Sequence, residues 1–305
     1  MKIVAVEPIG ISEQRAAEIA ADLAKKGHDF VCYRDRKEDA STLIDRMKDA
    51  EVVIVSNIPV RANVLEQCPC LKMLDVAFTG LDHIDLDYCQ AHGITVKNAS
   101  GYATEGVAEL AIGLMLDLYR HITVLDADTR KGGTRNNFLG KELRGKRVGI
   151  VGTGAIGIQT AKLLQAFGCD VVAWSRTQKA DVQAMGIAYL PLEELMSTSD
   201  IISLHVPLTA DTHHLISKEM LALCKPTAIL INTARGNVVD IDALACLLKE
   251  GKLAGAGIDV FEKEPPLALD HPLFDAPNCI VVPHVGYATR EAFDDRIDII
   301  LNNLN

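Results

Sequence analysis

Three side chains suited to acid–base and anion-binding chemistry each follow an apolar, strand-like segment in the second half of the chain. They are Arg235, Glu264 and His284, and the segments before them are 227–232, 256–260 and 279–282. Because the carboxyl ends of strands in an open α/β sheet share one edge, we expect the three side chains to converge there. A guanidinium holds a carboxylate, an imidazole exchanges a proton near neutral pH, and a carboxylate fixes the tautomer of that imidazole. Any one of them alone could equally be a surface charge or a packing residue.

A glycine-rich segment provides the place for a hydride donor. Residues 147–157, RVGIVGTGAIG, follow the order strand, G-x-G-x-x-G, helix. The first glycine permits the tight turn, the second lets a pyrophosphate approach the backbone, and the third lets the helix pack on the strand. A purely structural turn is the alternative interpretation. The coenzyme contacts predicted from this loop are Gly152, Thr153, Gly154, Ala155, Ile156 and Gly157.

The next strand, 170–174, ends in Ser175, Arg176 and Thr177. At this position a dinucleotide fold usually carries a carboxylate that bonds the adenosine ribose. A carboxylate would repel a 2′-phosphate, whereas serine and arginine would bind it. The sequence therefore favours NADP(H) over NAD(H). Alternatively, Arg176 is a solvated loop residue and NAD(H) serves equally.

Short apolar strands alternate with helical stretches along the whole chain, which is typical of an α/β protein. Two successive series predict two doubly wound parallel-sheet domains. The predicted strands are 2–6, 52–56, 72–77 and 94–97, then 147–151, 170–174, 200–204, 227–232, 256–260 and 279–282. A long helix is predicted from Glu105 to about Val124, with apolar residues nearly all round, which indicates burial between domains or subunits. The last helix is predicted to begin near Thr289.

Composition excludes several classes of protein. The 305 residues carry a net charge of −10, which argues against nucleic acid as a partner because phosphate binding needs basic patches. No apolar run reaches the roughly 18 residues that span a membrane, and MKIVAVEPIGI reads as a first strand rather than a secretory signal. We therefore expect a cytoplasmic protein. Of the eight cysteines only Cys68 and Cys70 are close in sequence, so no metal site is predicted.

Five motifs together resemble the D-isomer-specific 2-hydroxyacid dehydrogenases. They are the glycine segment 149–157, LHVPLT at 204–209, INTARG at 231–236, DVFEKEP at 259–265 and PHVG at 283–286. The resemblance covers nearly the whole chain. It implies a Rossmann coenzyme domain, 100–284, and a discontinuous flavodoxin-like substrate domain, 1–99 and 285–305. It also implies hydride transfer between NAD(P)H and a small 2-keto acid, glyoxylate or hydroxypyruvate first, and Ser175 and Arg176 favour NADPH as the donor.

The resemblance also implies roles for single residues. Arg235, Glu264 and His284 match the catalytic arginine, glutamate and histidine of the family, and Asp259 matches an acid that bonds the nicotinamide carboxamide. Further coenzyme contacts are expected at Thr104, His205, Val206, Pro207, Thr212, Thr233, Ala234 and Gly286. The substrate is expected to meet Arg235 and, through its carboxylate, backbone N–H groups of two loops: Ser56, Asn57, Ile58, Thr79 and Gly80. The cleft is expected to close through crossings near 98–101 and 284–286, and the long helix to form a homodimer interface.

Two alternatives to a glyoxylate or hydroxypyruvate reductase stay open. D-3-phosphoglycerate dehydrogenases carry arginines for the phosphate in the first loop, but 56–59 has none, and Arg61 comes later. These 305 residues also hold no C-terminal regulatory extension, and both observations disfavour a phosphorylated substrate. The same fold includes transcriptional co-repressors, so an NAD(H)-sensing binding protein is the alternative from another class.

Overall fold

The computed structural model describes residues 1–135, 137–263 and 266–304. The chain divides into two compact units. The first unit consists of Met1–Ala103 and Ala288–Asn305, and the second unit is Thr104–Tyr287. Each unit contains one parallel β-sheet together with helices, which confirms the predicted α/β fold class.

The first unit is built on a five-stranded parallel sheet. Its strands are β1 (Lys2–Ala5), β2 (Asp29–Cys32), β3 (Val52–Val55), β4 (Met73–Val76) and β5 (Thr95–Asn98). Its helices are α1 (Glu13–Lys25), α2 (Ala40–Met47), α3 (Ala62–Leu65), α4 (Leu86–Ala91) and α12 (Arg290–Asn303). The strand order β2-β1-β3-β4-β5 is flavodoxin-like and reverses direction between β1 and β3. All four residues of β3, Val-Val-Ile-Val, are buried, as expected of a parallel strand covered on both faces.

The C-terminal helix α12 belongs to the first unit. It begins after the N-cap Thr289, whose side chain accepts from the Ala292 N–H, as the sequence predicts. Its buried Arg296 donates to the carbonyl oxygens of Ile9 at 2.6 Å and Ala77 at 3.3 Å. These bonds tie the end of the chain to segments that follow β1 and β4.

The second unit is built on a seven-stranded parallel sheet of order β12-β11-β10-β9-β6-β7-β8. Its strands are β6 (Arg147–Val151), β7 (Asp170–Trp174), β8 (Ala188–Tyr189), β9 (Ile201–Leu204), β10 (Ile229–Asn232), β11 (Gly255–Ile258) and β12 (Cys279–Val281). Its helices are α5 (Thr104–Arg120), α6 (Ile122–Thr129), α7 (Ala155–Ala166), α8 (Ala180–Ala184), α9 (Leu192–Thr198), α10 (Lys218–Ala222) and α11 (Ile241–Lys249), with a 3₁₀ turn at Gly236–Val238. The order is that of a Rossmann sheet, and its direction reverses between β6 and β9.

The long helix differs from the prediction in two ways. It stops at Arg120, because His121 adopts a left-handed conformation with φ 50°, and α6 then starts with the Thr123 N–H bonded to the Asp117 carboxylate at 2.9 Å. It is also not buried all round within this chain, since Glu109 and Gly113 lie on an exposed face. The opposite face is buried in the core of the second unit. Among the described residues, no helix has both the length and the apolar character that crossing a bilayer requires.

Candidate active site

The glycine-rich loop connects β6 to α7, and two of its glycines are enclosed by backbone. Gly152 has φ +104°, and a Cβ on it would lie 2.6 Å from the His205 carbonyl oxygen. A Cβ on Gly157 would lie 2.0 Å from the Gly152 carbonyl oxygen. The fold itself therefore excludes any side chain at these two positions.

The middle glycine of the loop is different. Gly154 is the N-cap of α7, with φ −73°, and a Cβ on it would meet nothing within 4 Å. Gly154 and Ala155 are exposed, and the first turn of the 12-residue helix leaves backbone N–H groups without helical acceptors. An anion can therefore approach the helix end closely, and the helix dipole favours it there. The loop fits the pyrophosphate of a dinucleotide.

A groove of about 280 Å³ opens beyond the end of β7. Its lining residues are Trp174, Ser175, Gln178, Tyr189, Leu190 and Pro191. Ser175 is half-buried, Arg176 and Thr177 are exposed, and the Arg176 guanidinium forms no ion pair within the described ranges. The arginine is thus available to an outside anion.

Sequence reasoning missed one residue of this groove, Tyr189. Its hydroxyl is 2.9 Å from Thr153 Oγ1 and accepts the Lys179 N–H at 3.1 Å. It therefore links the glycine-rich loop to the segment after β7. The two-residue strand β8 that carries it was also not predicted, because so short a strand has no detectable periodicity.

The segment after β9 packs under the glycine loop. His205 Nε2 is 2.9 Å from Ser203 Oγ, and burial lowers the pKa of His205 to about 4, so its imidazole is neutral. Val206 is buried against Gly152. The Thr212 hydroxyl donates to the Pro207 carbonyl at 2.6 Å, so it closes a local turn. Of this predicted set, His205 and Thr212 have clear structural roles.

The loop after β10 is shaped by Asn232, whose side chain accepts the Ala234 N–H at 3.0 Å and donates to the Arg235 carbonyl at 2.9 Å. The Thr233 hydroxyl is buried and has no hydrogen-bond partner in the described chain. Buried hydroxyls nearly always have a partner, so this one fits a site that a ligand completes. The Arg235 Nη1 donates to the Ala234 carbonyl at 2.8 Å.

The loops after β10, β11 and β12 meet at one end of the sheet. A Cβ on Gly236 would lie 1.9 Å from the Phe261 carbonyl carbon, so the Arg235 loop packs on the segment after β11. The Asp259 carboxylate, 1% exposed, accepts the N–H groups of Val285 at 2.6 Å and Gly286 at 2.9 Å. The structure therefore brings together the loops of Arg235 and His284. Glu264 lies outside the described residues.

His284 has a strained backbone, with φ 55°, in a region that non-glycine residues seldom adopt. Its ring packs edge-on against Tyr287, with centroids 5.4 Å apart. Both oxygens of Asp259 are bonded to the two residues that follow His284, so Asp259 holds this loop. The sequence had predicted only a coenzyme contact for Asp259. The structure shows this additional role.

The first unit contains the two loops predicted to bind the substrate carboxylate. The N–H groups of Ser56, Asn57 and Ile58 all donate to one oxygen of Glu7, at 2.7, 3.0 and 3.0 Å. This corrects the expectation for the first loop, since its donors are already bonded to a carboxylate of the chain itself. A single sequence carries no pattern that pairs Glu7 with residues 49 to 51 positions away.

The second loop, which follows β4, has backbone N–H groups that can still donate to a ligand. Thr79 is exposed, its carbonyl accepts from the Asn98 side chain at 2.7 Å, and the N–H groups of Thr79 and Gly80 donate to no residue in the described ranges. Thr104, the remaining predicted contact, is the first residue of α5 in the second unit. No group of three or more metal-ligating side chains occurs among residues 1–135, 137–263 and 266–304.

A Rossmann strand order, a glycine loop open at Gly154 and polar loops gathered at the sheet edge define a dinucleotide-dependent oxidoreductase. The family model described as "D-isomer specific 2-hydroxyacid dehydrogenase, NAD binding domain" matches residues 112–286. The chain belongs to this family and is an NAD(P)-dependent oxidoreductase acting on CH–OH groups.

Three similar proteins illustrate the breadth of the family. A glyoxylate reductase of Thermococcus litoralis is 40% identical over 294 residues, which cover 92% of this chain and 88% of that protein. A D-3-phosphoglycerate dehydrogenase of Methanocaldococcus jannaschii is 41% identical over 254 residues, which cover 82% of this chain and 48% of that protein. An acyclic imino acid reductase, solved in complex with NADPH and D-Arg, superimposes with a TM-score of 0.90 at 29% identity, covering 100% of this chain and 96% of that one.

Proposed function

We propose that the protein reduces a small 2-keto acid, glyoxylate or hydroxypyruvate, to the D-2-hydroxy acid. The observation that carries the proposal is the packing of the Arg235 loop on the segment after β11, together with the bonds from Asp259 to the loop of His284. The similarity to a glyoxylate reductase at 40% identity supports the same substrate class.

The proposed mechanism assigns one task to each group. In the second unit, Arg235 holds the substrate carboxylate and polarises the ketone. In the first unit, the N–H groups of Thr79 and Gly80 are the groups proposed to bind a carboxylate. His284 donates the proton to the carbonyl oxygen, and Glu264 orients its imidazole. The bound coenzyme supplies the hydride. Asp259 keeps His284 in place by accepting hydrogen bonds from the N–H groups of Val285 and Gly286.

The second unit is proposed to bind the coenzyme and the first unit to bind the substrate. The glycine loop would hold the pyrophosphate, and the unpartnered Thr233 hydroxyl would find its acceptor on the coenzyme. The remaining proposed coenzyme contacts are Thr104, Ser175, Arg176, Thr177, Val206, Pro207, Ala234, Asp259 and Gly286. The eight thiols, with Cys70 and Cys246 exposed, suit a reducing compartment, so we place the protein in the cytoplasm.

NADPH is proposed as the preferred hydride donor. The end of β7 presents Ser175, Arg176 and Thr177 in place of a carboxylate, and a structural neighbour is solved with NADPH. A steady-state comparison of NADPH and NADH over several 2-keto acids tests the preference. A higher kcat/KM with NADH would contradict it.

A homodimer is proposed through α6 and the loop that follows it. Ile122, Val124 and Leu139 are 55%, 62% and 82% exposed, which is unusual for three large apolar side chains in one region. A second copy of the chain would cover them. Sedimentation equilibrium should give twice the chain mass, and a monomer at micromolar concentration would contradict the proposal.

Turnover separates the reductase from an NAD(H)-sensing binding protein. Wild type should consume NADPH with glyoxylate or hydroxypyruvate, and His284→Ala should lose at least about a hundredfold in kcat. If wild type and His284→Ala both leave the absorbance of NADPH unchanged over a panel of 2-keto acids, the proposed reductase function is wrong.

A further inference from the structure

The carboxylate of Glu7 occupies a place where an open α/β sheet usually binds a ligand. Glu7 follows β1, and Ser56–Ile58 follows β3, the two strands between which the order of the first sheet reverses. Crevices at such a reversal are the common ligand site of doubly wound sheets. Three consecutive N–H groups aimed at one point form an anion-binding concavity. In this chain the anion is Glu7, which is 2% exposed.

A guanidinium closes the open side of this arrangement. Arg36 Nη1 donates to the second oxygen of Glu7 at 2.7 Å and also to the Asn57 side-chain oxygen. Its Nε donates to Glu38 at 2.8 Å. We call Glu7, Arg36, Glu38 and Asn57 the Glu7 cluster. With two carboxylates on one guanidinium, the cluster has a net charge of −1.

The Glu7 cluster lies beside the loop that keeps free donors. The strands β3 and β4 are neighbours in the sheet, so the loops that follow them, 56–58 and 79–80, are adjacent. The proposed function puts the substrate carboxylate on Thr79 and Gly80. We therefore take the neighbouring loop of Asn57 to be the part of the first unit that contacts the substituent at C3 of the 2-keto acid.

We propose that the Glu7 cluster determines specificity at C3, and that its net negative charge selects an uncharged substituent, hydrogen or hydroxyl, over a phosphate or a second carboxylate. The inference rests on the proposed function and narrows its substrate class. Arg36 contributes no net positive charge to the site, because Glu7 and Glu38 hold it by Nη1 and Nε. The amide of Asn57 can bond a neutral hydroxyl at this point.

The test compares two substrates that differ only in a phosphate: hydroxypyruvate and its 3-phosphate ester. The measured quantity is the ratio of kcat/KM for the phosphorylated substrate to kcat/KM for the other. Glu7→Gln should raise this ratio about tenfold, and Glu38→Gln, on an exposed residue, about threefold, because each removes one negative charge near the phosphate. Arg36→Gln should lower the ratio, because the two carboxylates lose their cation.

The ratio should rise in Glu7→Gln and Glu38→Gln and fall in Arg36→Gln. These opposite changes distinguish a role in specificity from a structural role, since general damage to the loop would shift the ratio in the same direction in all three variants. Glu51→Gln is the matched control. Glu51 directly precedes β3, pairs with Lys72 at 2.6 Å and should leave the ratio unchanged. Should Glu7→Gln fail to fold, the surface variant Glu38→Gln and Arg36→Gln still test the sign.

Binding without turnover gives a second readout. In the absence of coenzyme, D-glycerate should raise the melting temperature of the wild type more than 3-phospho-D-glycerate does, and Glu38→Gln should narrow that difference. Unchanged ratios in Glu7→Gln and Glu38→Gln, or a raised ratio in Arg36→Gln, would overturn the inference and leave the reductase intact. A wild type that reduces neither substrate nor any other 2-keto acid would overturn the proposed function itself.

Discussion

Alanine at Gly154 and alanine at Gly157 should have opposite consequences, although both glycines belong to one motif. At Gly157 the new Cβ would lie 2.0 Å from the Gly152 carbonyl oxygen, about 1.4 Å inside ordinary contact, and both partners are backbone. Overpacking of this kind costs about 1 to 3 kcal/mol, and a rigid backbone neighbour puts this case at the upper end. For a unit the size of Thr104–Tyr287, about 3 kcal/mol lowers the melting temperature by about 6 to 12 °C.

At Gly154 the new Cβ meets nothing within 4 Å, and φ −73° suits alanine. The gain from a less flexible unfolded chain and the loss of a better N-cap residue nearly cancel, each below about 1 kcal/mol. The melting temperature of Gly154→Ala should therefore stay within about 2 °C of wild type. The methyl group instead occupies the space through which the pyrophosphate approaches, so the Kd for NADPH should rise at least about tenfold.

Thermal unfolding followed by circular dichroism without coenzyme measures the first effect. Fluorescence of Trp174, the single tryptophan, measures the second, because its side chain lines the groove at the end of β7. Gly113→Ala on the exposed face of α5 is the matched control and should slightly stabilise the protein without changing the Kd. The reasoning fails if Gly154→Ala unfolds as easily as Gly157→Ala, or if it binds NADPH with unchanged affinity.

Three further predictions concern single charged residues. Asp259→Asn should lower kcat about tenfold or more with little change in KM for the keto acid, because one of the two N–H groups after His284 loses its acceptor. An unchanged kcat would show that Asp259 does not position that loop. Arg176→Ala should raise the KM for NADPH more than the KM for NADH, and equal effects would make Arg176 a solvated residue. Burial raises the pKa of Asp75 from 3.8 to about 6, so its contribution to stability is present below about pH 4 and is lost as the pH rises through about 6. Asp75→Asn should therefore gain stability relative to wild type between pH 4.5 and 7.5 in urea titrations, and a pH-independent difference would contradict the cause given for the shift.

Local patterns in the sequence were enough to predict most of the strands and the glycine-rich turn. Each apolar run of four to six residues, flanked by turns, became a strand, and the order of glycines between β6 and α7 predicted the turn, the open helix end and the close packing. The edge strand β2 was missed, although Phe30, Val31 and Cys32 form a short apolar run. The strand has only four residues, of which one is exposed and three are half-buried. The break at His121 was missed because a left-handed residue in a helical pattern has no local signal unless it is glycine or asparagine.

The same distinction between local and long-range information applies to the site residues. The sequence alone determined which chemical groups follow which strands, because position along the chain decides that Arg235, His284 and Thr79 each follow the carboxyl end of a strand in their own sheet. Only the tertiary structure decided what those groups and their neighbours bond. Glu7 fills the donors of Ser56–Ile58, Asp259 holds the loop of His284, and the Tyr189 hydroxyl joins two coenzyme loops. The bonds of Glu7, those of Asp259 and the bond between Tyr189 and Thr153 join residues 26 to 51 positions apart. Such a pairing depends on how strands are ordered in a sheet, which no local spacing encodes.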